Sequence, residues 1–152
     1  MKKLRIYVDT SVLGGCFDSE FDQWSNRLLE AFRRGEYIPV LSAVIALEVE
    51  HAPEPVNDVH AELIAAGAEL LMVSAEALDL LGQYQAKKIL GPKFQNDMLH
   101  IALATIANAD LLVRLEFPPH CPTRQDSSLQ CSQYRMWLQG FDDLLSERGC
   151  AR

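Results

Sequence analysis

Apolar residues run unbroken from Ile6 to Val8 and stop at an acid, Asp9, followed by two small hydroxyl residues, Thr10 and Ser11. A short apolar run with such an end reads as a buried strand over 4–9. Helical spacing then takes over. Phe21, Trp24, Leu28, Leu29 and Phe32 recur at intervals of three and four, with Gly35 as a stop, which predicts a helix over 19–36. "YIPVLS" (37–42) is a second strand, and Ser42 caps a mostly apolar helix, "AVIALEVEHA" (43–52). The prolines of "APEPVND" break that helix. A helix over 59–67, a strand over 68–74 and a helix over 75–91 capped by Ser74 follow. Last come a helix over 96–109 and a strand, "DLLV" (110–113).

Strands that alternate with helices predict an α/β fold with a mainly parallel sheet covered on both faces. In such sheets ligands gather at the carboxyl ends of strands, where Asp9 lies. Two readings of Asp9 stand at this point: a helix cap, or a carboxylate that meets a cation.

Two more acids adjoin apolar stretches. Glu48 lies inside the helix after strand two, and Asp97 in the first turn of the helix before strand four. Taken singly, each has a plain explanation: an exposed helix face for Glu48, the helix macrodipole for Asp97. Taken together, converging carboxylates repel and raise one another's pKa unless a cation neutralises them. Oxygen ligands suit Mg²⁺ or Mn²⁺ better than zinc, and such an ion activates water against a phosphodiester.

Composition narrows the picture. A chain of 152 residues, 49% hydrophobic and 23% charged, makes one domain with a sizeable core. The net charge of −7 argues against a broad phosphate-binding surface. The basic start "MKKLRIYV" resembles that of a signal peptide, but Asp9 cuts its apolar stretch, so the cytoplasm is the expected compartment. No apolar run is long enough to span a bilayer, and no membrane partner is expected. The cysteines, Cys16, Cys121, Cys131 and Cys150, form no CxxC pair and read as free thiols.

The stretches "YVDTSVLGGCF", "LSAVIALEVEHAP" and "NDMLHIALATIANADLLV" together resemble the PIN-domain family, over residues 4–113. The resemblance implies a three-layer α/β/α sandwich and Mg²⁺- or Mn²⁺-dependent ribonuclease activity of the kind found in toxins of toxin–antitoxin operons. It implies Asp9, Glu48 and Asp97 as catalytic metal ligands. Thr10 or Ser11 would support Asp9 or the metal-bound water. Asn96 and His100 flank Asp97 as packing or supporting residues. Lys87, Lys88 and Lys93 either meet phosphate or form a solvated face. Expected partners are RNA, an antitoxin protein and a second copy of the chain.

After Val113 the pattern departs from the family. Residues 114–152 hold three of the four cysteines and three of the seven prolines, with little apolar periodicity after Phe117. Dropping one base before the Arg114 codon permits the reading "AWNFRHIVRLDK", and further allowed codons give "IRLFNAVNIECGYKALMIYSPSEVVR". This resembles the ending of a PIN subgroup. Third positions are free to choose, but the first and last bases of most shifted codons are dictated by the observed residues. The expectation is therefore a PIN-like domain over 1–113, an atypical, frameshifted and poorly ordered tail over 114–152, a missing or disrupted last strand, and an activity impaired by the altered ending. Glu116 falls at the fourth position of the site, where the restored frame has Asn.

Two alternatives remain open. One is a catalytically inactive PIN-like interaction module that docks through "FDSEFDQWS" or "SAVIALEV". The other is an aspartate-based phosphotransferase, against which Ser11 counts, because such enzymes usually carry a second acid there.

Overall fold

A computed structural model describes residues 2–88 and 95–115. The fold below is that of the unit Met1–Arg114. Lys93, Glu116 and nearly all of the proposed frameshifted tail lie outside the described residues.

Four strands form one parallel sheet: β1 (Arg5–Val8), β2 (Ile38–Ser42), β3 (Glu69–Leu71) and β4 (Leu111–Val113), in the order β3-β2-β1-β4. Helices α1 (Thr10–Gly15) and α2 (Asp22–Arg33) join β1 to β2. Helices α3 (Ala43–Glu50) and α4 (Glu54–Ala65) join β2 to β3, and α5 (Ala75–Ala86) and α6 (Gln95–Ile106) join β3 to β4. Right-handed crossovers put α1–α4 on one face. The chain then steps back across the sheet, so α5 and α6, which pack together, cover the other face. The expected three-layer α/β/α sandwich is the architecture found. The direction of winding reverses between β1 and β4, and the crevice above such a reversal is where ligands bind in open α/β sheets.

The strands of the centre are apolar because both faces are covered. Ile6, Tyr7 and Val8 of β1 and Val40 and Leu41 of β2 have no exposed surface. Leu28 and Phe32 of α2, Ile45 of α3, and Met98 and Leu103 of α6 fill the space above and below them.

Element ends differ from expectation for local reasons. Helix α2 starts at Asp22 rather than at 19, because the Asp18 carboxylate and carbonyl hold 18–22 in a turn. It stops where Gly35 takes φ +69, with Gly35 N–H bonded to Phe32 O and Glu36 N–H to Ala31 O. Asn108, at φ 52, ends α6 in the same manner. The proline-rich segment stops α3 and also begins α4, since Pro55 lies in the first turn, where its missing N–H costs nothing. The strand predicted over 68–74 is only Glu69–Leu71: its partner β2 ends at Ser42, opposite Leu71, and turns into α3.

Candidate metal centre

Asp9 leaves the end of β1. Its backbone N–H donates to Val113 O at 3.0 Å, extending the β1–β4 ladder by one step. Asp9 Oδ2 accepts from Ser11 N–H at 3.3 Å and from the Ser11 hydroxyl at 2.7 Å. That is an N-cap for α1, so the capping reading of Asp9 holds. The other oxygen, Oδ1, faces His100 Nε2 at 3.3 Å. Asp9 is only 6% exposed, so its charge depends on these partners.

Glu48 reaches the same point from α3. Ser42 ends β2 and caps that helix, its hydroxyl accepting from Ile45 N–H at 3.4 Å. Buried Val44, Ile45 and Val49 anchor the helix, and Glu48 lies half-buried beside them. Glu48 Oε2 accepts a short hydrogen bond from the Thr10 hydroxyl, and Oε1 lies 3.2 Å from His100 Nε2. Burial pushes the Glu48 pKa up, but the bonds from His100 and Thr10 and the charges of His100 and Arg114 outweigh it and hold the carboxyl below its usual value.

His100 links the two acids. It is 1% exposed on α6, and its Nε2 lies within hydrogen-bond reach of both carboxylates. Both are acceptors, so Nε2 carries the hydrogen. On the other side of the ring, Nδ1 is 2.7 Å from the Tyr7 hydroxyl, which is 2.8 Å from the Ser42 hydroxyl. The Tyr7 and His100 rings meet edge to face, with centroids 5.8 Å apart. Burial drives the Tyr7 pKa up, so its hydroxyl stays protonated.

One ligand atom from each of Asp9, Glu48 and His100 lies within 4.8 Å of the others. The two carboxylates are oxygen donors of the kind that suit Mn²⁺ or Mg²⁺, while His100, with its hydrogen on Nε2, orients them rather than offering that nitrogen to an ion. Asp97 is not in this group. It lies one turn before His100 on α6, and its Oδ1 is bound by Arg114 Nη2 at 2.6 Å. Asn96 is exposed in the same first turn. The structure thus brings Asp9, Glu48, Thr10 and Ser11 together, and gives His100 a more central place than a flanking residue. The signal available for His100 was its i, i+3 spacing from Asp97, which puts both on one helix face. Lys87 and Lys88 are exposed at the end of α5.

No protein-family model matches the sequence, and no curated protein is significantly similar to it. Solved structures do match. VapBC2 of Rickettsia felis, in a crystal with a DNA fragment from its promoter, is similar with a TM-score of 0.51 and 15% identity, over 72% of this chain and 86% of that one. VapC20 of Mycobacterium tuberculosis, described as a toxin that cleaves the sarcin–ricin loop, is similar with a TM-score of 0.49 and 14% identity, over 74% and 91%. At such identities the VapBC2 likeness is one of fold, and the chain has the PIN-like α/β fold that its sequence resembles.

Proposed function

We propose that the protein is a divalent-cation-dependent endoribonuclease of the PIN class. The observation that carries this reading is the convergence of Asp9 and Glu48, from two different elements, on one point at the carboxyl edge of the sheet. Asp9 and Glu48 are the metal ligands in this reading, Mg²⁺ or Mn²⁺ is the ion, and Asp97 is a third ligand once released from Arg114. The bound ion would supply an activated water and stabilise charge on the phosphodiester. The chain's own groups set the geometry. Ser11 holds one oxygen of Asp9 and Thr10 one oxygen of Glu48, while His100 Nε2–H fixes the remaining pair. The Tyr7 hydroxyl fixes the ring of His100.

The substrate in this reading is RNA, and the compartment is the cytoplasm. VapBC2 supports an antitoxin as partner, and a homodimer is the assembly we propose. No helix among the described residues is long and apolar enough to cross a membrane. We also propose that residues 114–152 are a frameshifted ending on a PIN-like domain of residues 1–113.

The test is cleavage of a mixed-sequence RNA by the purified chain with Mn²⁺, with EDTA, and with Asp9→Asn or Glu48→Gln. Activity should need the ion and fall at least about a hundredfold in either variant. Cleavage that survives EDTA or Asp9→Asn would overturn the reading. A second reading has one observation in its favour: Arg114 already neutralises Asp97. It makes the chain an inactive interaction module, which would bind no Mn²⁺.

A further inference from the structure

Arg114 holds a register position that bears on the site. Val8 of β1 pairs with Val113 of β4 in the parallel ladder, and Asp9 N–H bonds Val113 O. The next residue on β1 is Asp9 and the next after β4 is Arg114. A carboxylate and a guanidinium therefore leave the carboxyl edge of the sheet from neighbouring strands, about 5 Å apart in backbone. This is the place where the winding reverses, directly under the crevice.

The guanidinium is committed to the acids. Arg114 Nη2 donates to Asp97 Oδ1 at 2.6 Å, a short charge-assisted bond. The pair is largely shielded, with side chains 16% and 28% exposed, so water and salt screen it weakly. The same positive charge is felt at Glu48, where it helps hold the carboxyl ionised. One arginine of this chain thus touches the third acid of the expected site and acts electrostatically on the second.

We propose that Arg114 is a built-in counter-cation of the acidic site, which occupies Asp97 and competes with a divalent ion for the carboxylates. The inference rests on the metal-site reading above. Two cations cannot share Asp97 without repulsion, so an ion that enters either displaces the Arg114 side chain or does without that carboxylate. In both cases its affinity is lowered.

The test is titration of the full chain with Mn²⁺, read by calorimetry and by the electron paramagnetic resonance signal of free Mn²⁺. Arg114→Ala should bind Mn²⁺ about tenfold or more tightly than the parent. Arg114→Lys, which keeps the charge, should stay near the parent. The gain should vanish in Arg114→Ala/Asp97→Asn. Arg114→Gln, which keeps length and polarity, should match the alanine variant and replaces it if that variant does not fold. If Asp9→Asn abolishes Mn²⁺ binding but neither Arg114 variant tightens it, the counter-cation proposal fails and the metal site stands. A gain that persists without the Asp97 carboxylate also overturns the proposal. If parent and Arg114 variants alike bind no Mn²⁺, or bind it equally well after Asp9→Asn, the metal-site reading falls and the proposal with it.

Discussion

His100 Nε2 stands 3.2 Å from Glu48 Oε1, closing the gap between a carboxylate of α3 and one that follows β1. Two acids brought this close repel, and a shared N–H offsets part of that repulsion. The imidazole therefore holds the site together in the absence of an ion. His100→Ala should lower unfolding free energy by about 2–4 kcal/mol, because it strips a donor from two shielded carboxylates and leaves a void under α6. Urea denaturation measures the loss. Mn²⁺ should restore part of it, since an ion that binds only the folded chain stabilises that state. Parent-like stability in His100→Ala would contradict the role.

Tyr7→Phe isolates the bond behind the ring. The phenylalanine fills the same space but leaves His100 Nδ1 and the Ser42 hydroxyl without the Tyr7 hydroxyl. The expected cost is about 1–3 kcal/mol. Ser42 also caps α3, so the loss should exceed that of the half-buried Tyr84 changed to phenylalanine. Equal melting temperatures for the two variants would show that the hydroxyl chain contributes little.

Cys16 offers a probe of opening. It is buried at the end of α1, with Sγ 3.6 Å from Val12 O, and burial pushes its pKa up to about 11. Thiolate is the reactive form, so Cys16 should resist alkylation at pH 8. Peptide mass spectrometry after iodoacetamide should find it unmodified in native protein and modified in urea. Rapid native labelling at Cys16 would mean that α1 opens readily.

The sequence carried the fold because its signals were redundant. Ile6–Val8, Val40–Leu41 and Leu111–Val113 are apolar runs too short for helices, and Ser42, Ser74 and Gly35 mark boundaries by side-chain or backbone chemistry. What local pattern could not supply was length set by a partner. Strand β3 stops at Leu71 because β2 stops at Ser42, a fact of pairing rather than of residues 72–74. The site divides similarly. Asp9 and Glu48 stood out as acids beside apolar runs. His100 did not, because a histidine on an apolar helix face looks like packing until Tyr7 and two carboxylates are seen around it. The grip of Arg114 on Asp97 depends on the β1–β4 register, which no local pattern reveals.

Acid titration should expose the Thr10–Glu48 bond. Burial raises the Glu48 pKa, but hydrogen bonds from His100 and Thr10 lower it more, so the folded value lies below the usual 4.5. A carboxyl whose pKa falls on folding contributes stability that is full above its unfolded value and is lost as pH falls through the folded value. Thr10→Val removes one of the bonds while keeping the side-chain shape, so the folded pKa of Glu48 should rise. The parent should then be more stable than Thr10→Val by about 1 kcal/mol at pH 6–7. That gap should shrink as the pH drops below 4.5 and Glu48 becomes protonated in both proteins. Glu62 with Arg33 and Glu69 with Arg5 add acid-sensitive stability of the same sign, but they are unchanged in the variant and cancel in the comparison. Thr10→Ser, which keeps the hydroxyl, should track the parent across the range. Urea unfolding at intervals from pH 3 to 7 reads the gap directly, and a gap that stays constant or widens toward acid would show that the bond does not favour the ionised carboxylate.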